Sequence, residues 1–174
     1  RYQRRLAMET AEEREDGIDL SQPQFFSIYG EWTKKNGVAR LDPGKPGATN
    51  VLWGDAAYSR ISKAANADVV VYTKETALEP ADYYATDMKF GEPKRLTDMR
   101  PQVAEYNWTP GVQLVDYTCD KGDKLQAALY LPANYEKGKS YPTMVYFYER
   151  MSQTANTFQN PTATGFNRSV YTRN

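Results

Sequence analysis

Between Val112 and Leu131 apolar side chains recur at every second residue on both sides of one polar tetrapeptide. Val112 and Leu114 lead in, Asp120-Lys-Gly-Asp123 supplies a turn, and Leu125, Ala127, Leu129 and Leu131 lead out. A period of two sends alternate side chains to opposite faces of an extended chain, so the stretch predicts a half-buried antiparallel strand pair. Pro132 has no amide hydrogen to give to a ladder and ends the second strand.

The chain upstream is made of short β-prone runs separated by turns. Phe25, Phe26, Ile28, Tyr29 and Trp32 form one, and Asn36-Gly37 reads as a tight turn into Val38–Leu41. Residues 42–47 are a loop by their Pro and Gly content. Three further strands are expected at Asp68–Thr73, Asp82–Thr86 and Lys94–Thr97. The first carries Val69, Val70, Val71 and Tyr72 without interruption, as a strand covered on both faces does. Short strands at this spacing suit antiparallel sheet in a sandwich, a barrel or a propeller. Downstream, Tyr141-Pro142 leads into Met144–Tyr148, apolar throughout like a central strand of an α/β sheet. Residues 153–165 read as irregular, and Phe166 and Val170 share a helical face. At the other end, Arg1–Asp16 is densely charged, and Arg5 and Glu9 lie one turn apart, which predicts a short helix ending at Gly17.

Composition narrows the function classes. Fourteen tyrosines lift the aromatic share to 13%, which favours strands over a helical bundle. The formal net charge is +0, from 22 basic and 22 acidic residues, which argues against bulk attraction to nucleic acid or to an anionic membrane. No apolar run reaches the length of a membrane span. Cys119 is the single cysteine, so no internal disulfide forms, and a thiol nucleophile would need a base. The chain opens on Arg1 with no signal-like segment, as a mature or internal piece would. Histidine is absent altogether, so a Ser-His-Asp proton relay cannot be assembled from these 174 residues.

Set against that absence, the text from Gly111 to Ser152, GVQLVDYTCDKGDKLQAALYLPANYEKGKSYPTMVYFYERMS, resembles the start of the hydrolase domain in the prolyl oligopeptidase family of serine peptidases. The upstream text ADVVVYTKETALEPADYYATD and KRLTDMRPQ resembles the last propeller blade of its dipeptidyl-peptidase-like branch, and SIYGEWTKKNG an earlier propeller segment of large bacterial members. The resemblance runs from about Phe25 to Asn174. It implies a mostly β chain: residues 1–110 as the C-terminal part of a β-propeller domain, and residues 111–174 as the first strands of an incomplete α/β-hydrolase domain. It also implies that the triad residues follow later in such a protein, because no G-x-S-x-G elbow occurs here.

One catalytic role falls inside the window by that resemblance. Tyr148, in VYFYER, matches the tyrosine whose hydroxyl helps form an oxyanion hole; the alternative is that it packs at a strand end. The window reads Tyr148-Glu149-Arg150 where the family commonly has Tyr-Gly-Gly or Tyr-Ala-Gly-Pro, and a register shift would move the role to Tyr146. Glu149 and Arg150 read as a structural ion pair, or as contacts to a peptide terminus. Ser152 and Ser169 have neither an elbow nor a base. Asp120 and Asp123 belong to a turn rather than a calcium loop, and Gly44-Lys45 lacks phosphate-loop spacing. Asn107-Trp-Thr and Asn167-Arg-Ser match the glycosylation triplet.

The expectation is therefore a segment of a serine peptidase that hydrolyses peptide bonds through an acyl-enzyme and is inactive alone. Its partners would be a peptide substrate and the remainder of the hydrolase domain, in the same or a separate chain, with no cofactor and no metal. By family habit its location would be periplasmic or extracellular. The alternative is a non-catalytic propeller-type binding or structural module.

Overall fold

The computed structural model describes residues 2–6, 17–148, 151–160, 162 and 164–173. Its architecture is mostly antiparallel β. Strands β1 (Tyr2–Leu6), β2 (Gln24–Tyr29), β3 (Asn36–Leu41) and β4 (Thr49–Gly54) form one four-stranded sheet in that order. Strands β5 (Ala57–Lys63), β6 (Val70–Glu75), β7 (Asp82–Thr86) and β8 (Lys94–Arg95) form a second four-stranded sheet, again in chain order. A short helix α1 (Arg100–Val103) follows. Strands β9 (Val112–Thr118) and β10 (Lys124–Tyr130) form a separate hairpin. A 3-10 turn at Ser152–Thr154 and a helix α2 (Arg168–Thr172) complete the elements.

The aromatic residues join the two sheets. Phe25 of β2 lies 5.9 Å from Phe90, and Phe90 lies 6.4 Å from Tyr72 of β6. Tyr72 stacks on Tyr84 of β7 at 5.7 Å and meets the edge of Tyr58 of β5 at 6.0 Å. Phe25, Ile28, Val38, Val70 and Tyr72 are each almost completely buried. Burial raises the Tyr72 phenol to about 12, with the neighbouring Tyr58 and Tyr84 adding to it. Phe90 reaches this cluster from a left-handed backbone, φ 55°. The Asp87 carboxylate fixes that turn by accepting the Lys89 and Gly91 amides, each at 3.0 Å, which offsets the ~1–2 kcal/mol that a side chain costs in such a conformation.

The second sheet is closed by a buried carboxylate. Asp82 is 3% exposed and accepts from the Thr97 hydroxyl at 2.6 Å, the Met99 amide at 3.0 Å and the Arg95 guanidinium. Burial alone would raise this carboxyl; the hydrogen bonds from Thr97, Arg95 and Met99, with the charge of Arg95, outweigh it and hold the group below its ordinary value. Thr97 in turn accepts the Tyr83 amide at 3.0 Å, so a two-residue β8 stays seated on β7.

Several expectations are corrected. Tyr2–Leu6 is a strand paired antiparallel to Phe25–Tyr29 and not the start of a helix; residues 7–16, with Glu9, lie outside the described residues. A single i,i+4 pair is worth about 0.3–0.5 kcal/mol and yields to a five-residue ladder on an open sheet edge. Asn36 and Gly37 sit inside β3, and the turn precedes them at 30–35. Gly37 is required there by close approach: a Cβ would overlap the Leu52 carbonyl of β4. Strands β4 and β5 were not legible. β4 rises out of a Pro/Gly loop, and β5 is half polar and broken by a bulge, near which Arg60 has φ 51°.

The hairpin has the expected turn, but its register sets Leu125 opposite Tyr117, Ala127 opposite Val115 and Leu129 opposite Gln113, while Val112 and Leu114, opposite Tyr130 and Ala128, lie on the other face, so the alternating residues of the two strands do not form one apolar face. Nor is the pair half-buried: Val115, Tyr117, Leu125 and Leu129 are all exposed. Met144–Tyr148 forms no strand, and Val145 and Phe147 are 79% and 84% exposed. An all-apolar run becomes a central strand only where neighbouring strands take its backbone groups, and none does so among the described residues. The second part of the fold expectation, the start of an α/β sheet, is thus not seen in these residues.

Replacing Asp82 by Asn is expected to cost about 1–2 kcal/mol near neutral pH, because the half-exposed Arg95 keeps only Asp98 of its two carboxylate partners and the acceptor for Thr97 and Met99 weakens. The folded pKa is depressed, so this stabilisation is complete above the unfolded value of about 4 and is lost as the pH falls through the folded one. Urea denaturation of the two proteins should therefore diverge at neutral pH and converge in strong acid.

Candidate functional site

The residues after the hairpin build a small polar and aromatic node against the second sheet. Trp108 donates its indole N–H to the Val103 carbonyl at 2.8 Å and packs on Phe158, ring centres 4.8 Å apart. Ala155 and Phe158 are buried, a satellite core that a polar sequence did not announce. Arg168, in the first turn of α2, lies over the Tyr130 ring at 4.3 Å and donates to the Thr154 hydroxyl at 3.1 Å and the Thr157 carbonyl at 2.9 Å. Tyr130, at the end of β10, donates to the Thr154 carbonyl at 3.4 Å. Burial raises the Tyr130 phenol, partly offset by the charge of Arg168.

Glu75, the last residue of β6, faces this node. Burial raises its carboxyl, and the Phe158 amide and the Arg168 charge offset that only in part. A shallow depression beside it is lined by Ala77, Trp108, Thr109, Tyr130, Arg168 and Ser169, with Gln159 and Thr172. Glu75, Tyr130 and Arg168 lie far apart in sequence, and no local pattern brings them together on paper. Chemically the node is a cation held over a ring by two oxygens, with the Glu75 carboxylate within its electrostatic reach. It carries no nucleophile paired with a base, and it reads as an anchor for the C-terminal residues.

The residues expected to carry chemistry are scattered. Tyr148 sits at a bend at the end of the apolar run, 68% exposed. Tyr146 stacks face to face on Phe166 at 4.1 Å, and Phe166 on Tyr171 at 5.5 Å. The two tyrosines therefore do not share one strand face. Glu149 and Arg150 lie outside the described residues. Ser152 opens the 3-10 turn, and Ser169 spends its hydroxyl on the Gln159 carbonyl at 3.1 Å. Asp120 and Asp123 bracket the hairpin turn, where the Cys119 thiol lies 3.9 Å from the Asp123 carboxylate. Among the described residues no cluster of three or more Asp, Glu, Cys or His side chains is placed to hold a metal. No helix among them is long and apolar enough to cross a membrane. Gly44 occupies a left-handed loop position, φ 70°. Asn107 is exposed, whereas Asn167 is 2% exposed and caps α2, its side-chain oxygen accepting the Ser169 amide at 3.0 Å.

No family model matches the chain. No curated protein matches it either. Among solved structures the fold is similar to the AtxE2 isopeptidase, both in a variant with Astexin3-dC4 bound and in its apo form. In each case the TM-score is 0.55 and the identity 18%, over 72% of this chain and 19% of that one. The chain thus spans about a fifth of the length of the structures it matches. These findings correct the resemblance to the prolyl oligopeptidase family: no family model or curated sequence supports it, and the structural neighbours are an isopeptidase at low identity. What the likeness supplies is the fold of a segment found within a hydrolase.

Glu75→Gln is expected to stabilise the protein at neutral pH, since the folded carboxyl is raised and its ionised form is disfavoured by burial. A raised carboxyl costs stability above its folded pKa and returns it as the pH falls toward the unfolded value of about 4.3. Denaturant midpoints of variant and parent should differ at about pH 8 and merge at about pH 4.

Proposed function

We propose that this chain is a scaffold segment of a larger hydrolase that cleaves amide bonds in peptides through a serine acyl-enzyme, and that the segment is inactive alone. The observation that carries the reading is the likeness of its fold to one fifth of a peptide-handling isopeptidase, in a chain without histidine. The exposed apolar surfaces support it. Val115, Tyr117, Leu125 and Leu129 on the hairpin, and Met144–Tyr148 beyond it, form the kind of surface that a further layer of protein covers. Within this reading residues 1–110 are the end of a propeller and residues 111–174 the beginning of the catalytic domain, located outside the cytoplasm. Tyr148 presents an unburied hydroxyl that can donate to an oxyanion built on residues from the remainder of the domain.

A second reading rests on one observation. The rings of Tyr146, Phe166 and Tyr171 form a continuous exposed stack, a surface on which a partner could dock without catalysis.

Two measurements separate the readings. The gene continued past Asn174 should encode a G-x-S-x-G elbow followed by an Asp and a His; an immediate stop codon supports the docking module. A fluorophosphonate probe should leave the isolated 174-residue chain unlabelled, and specific labelling of it would sink the scaffold reading. In the catalytically complete protein Tyr148→Phe should lower kcat by roughly 10²–10³ with KM little changed, the loss typical of one oxyanion donor. Unchanged kcat would remove Tyr148 from the mechanism.

A further inference from the structure

We propose that Asn36-Gly37 is a latent site of backbone modification: the fold suppresses succinimide formation at this dipeptide, and a chain that reacts to isoaspartate while unfolded cannot rebuild β3. The inference stands apart from the hydrolase reading and uses none of its residues.

This is the only Asn-Gly pair in the chain, and the pair is the least hindered toward this chemistry because glycine has no side chain to shield its amide. The Gly37 nitrogen attacks Cγ of Asn36. The new N–Cγ bond expels the side-chain nitrogen, which leaves with the amide proton as ammonia. The five-membered succinimide then takes up one water. Cleavage of its N–Cγ bond gives aspartate. Cleavage at the main-chain carbonyl gives isoaspartate, in which the backbone runs through the side-chain methylene. Water enters, ammonia leaves, and no other reactant is needed.

Three features of the fold hold the reacting atoms apart. Asn36 and Gly37 open β3 and are paired on both sides, Asn36 with Tyr29 and Gly54, Gly37 with Ile28 and Trp53. Extended backbone held between two neighbours cannot fold back to bring the amide onto the side chain. The Asn36 side chain is drawn toward the preceding turn, its Nδ2 donating to the Lys34 carbonyl at 3.1 Å. Gly37 is buried and so close to β4 that a Cβ would meet the Leu52 carbonyl, which leaves the strand no slack in which to turn. The same packing rejects the product. Val38 and Ala39 follow directly and are almost completely buried, and between them the partner on β4 already steps from Leu52 to Asn50. Isoaspartate lengthens the main chain by one atom, and a strand whose faces alternate cannot absorb it without turning Val38 and Ala39 out of register. The aspartate product instead sets an oxygen against the Lys34 carbonyl to which the amide had donated.

The test ages the 174-residue chain in mildly alkaline buffer, with and without denaturing guanidinium chloride. Isoaspartate is located by peptide mass spectrometry and counted by isoaspartyl methyltransferase labelling. At position 36 it should accumulate in denaturant and form more slowly without it by roughly 10³-fold or more, since a folded sample reacts only through its unfolded fraction. The denaturant-aged chain is then returned to buffer and separated by size exclusion into refolded and misfolded material. Molecules with isoaspartate at 36 should be confined to the misfolded fraction. Asn36→Gln, whose longer side chain closes its ring far more slowly, should keep a higher refolding yield than the parent after the same ageing. If that variant does not fold, the comparison of modified with unmodified parent molecules decides by itself. Equal rates with and without denaturant, no reaction at position 36 in either, or isoaspartate at 36 among refolded molecules overturns the proposal.

Discussion

The contact on which this structure turns is the insertion of Phe90 between two sheets. The two four-stranded meanders are separate sheets, each with strands in chain order. Phe90 touches Phe25 on one side and Tyr72 on the other, and Tyr72 gathers Tyr58 and Tyr84. The ring is delivered by a backbone that a phenylalanine adopts only when its surroundings hold it there. The order of causes runs from a short loop carboxylate, Asp87, to a left-handed residue, to the union of the sheets. Everything after residue 100 is then placed relative to that pair.

Legibility in the sequence followed the range of the forces involved. The hairpin's turn and its proline terminator were readable because both are local, and β6 because a run of β-prone residues marks it, although Val69 before it is exposed and only Val70 and Tyr72 of that run are fully buried. The strand at Tyr2–Leu6 was not readable, since what holds it is an edge supplied by residues 25–29, far along the chain. Gly37 illustrates a subtler failure. Asn-Gly is a strong turn signal, yet here the missing side chain serves the approach of β4 within a strand. Met144–Tyr148 has the composition of a buried strand and lies in the open, because composition states what a segment would accept and not whether a neighbour is there to offer it. The node around Arg168 was invisible for the same reason: a ring, a carboxylate and a guanidinium from three distant positions leave no spacing to read.

The function is likewise a matter of what surrounds the chain. Two of its charged groups do structural work: Asp82 closes a sheet and Arg168 fixes a terminus. Apolar side chains also face solvent, on the hairpin and on the run that follows it. The likeness to a stretch of an isopeptidase is a likeness of fold.

Asn167 shows how a surface motif can be withdrawn from circulation. Its amide nitrogen is committed to the Asn160 carbonyl at 3.0 Å and the Thr162 hydroxyl at 3.3 Å, and its oxygen to the helix it caps. A sugar-transferring enzyme would find no free nitrogen once the chain has folded. The same arrangement bears on chemical ageing. Hydrolysis of this amide to a carboxylate would set an oxygen, in place of a donor, against the Asn160 carbonyl, while solvent and the flexible backbone that the reaction needs are both excluded. The residue is thus preserved by the packing that depends on it, and its loss would mark molecules that had already come apart.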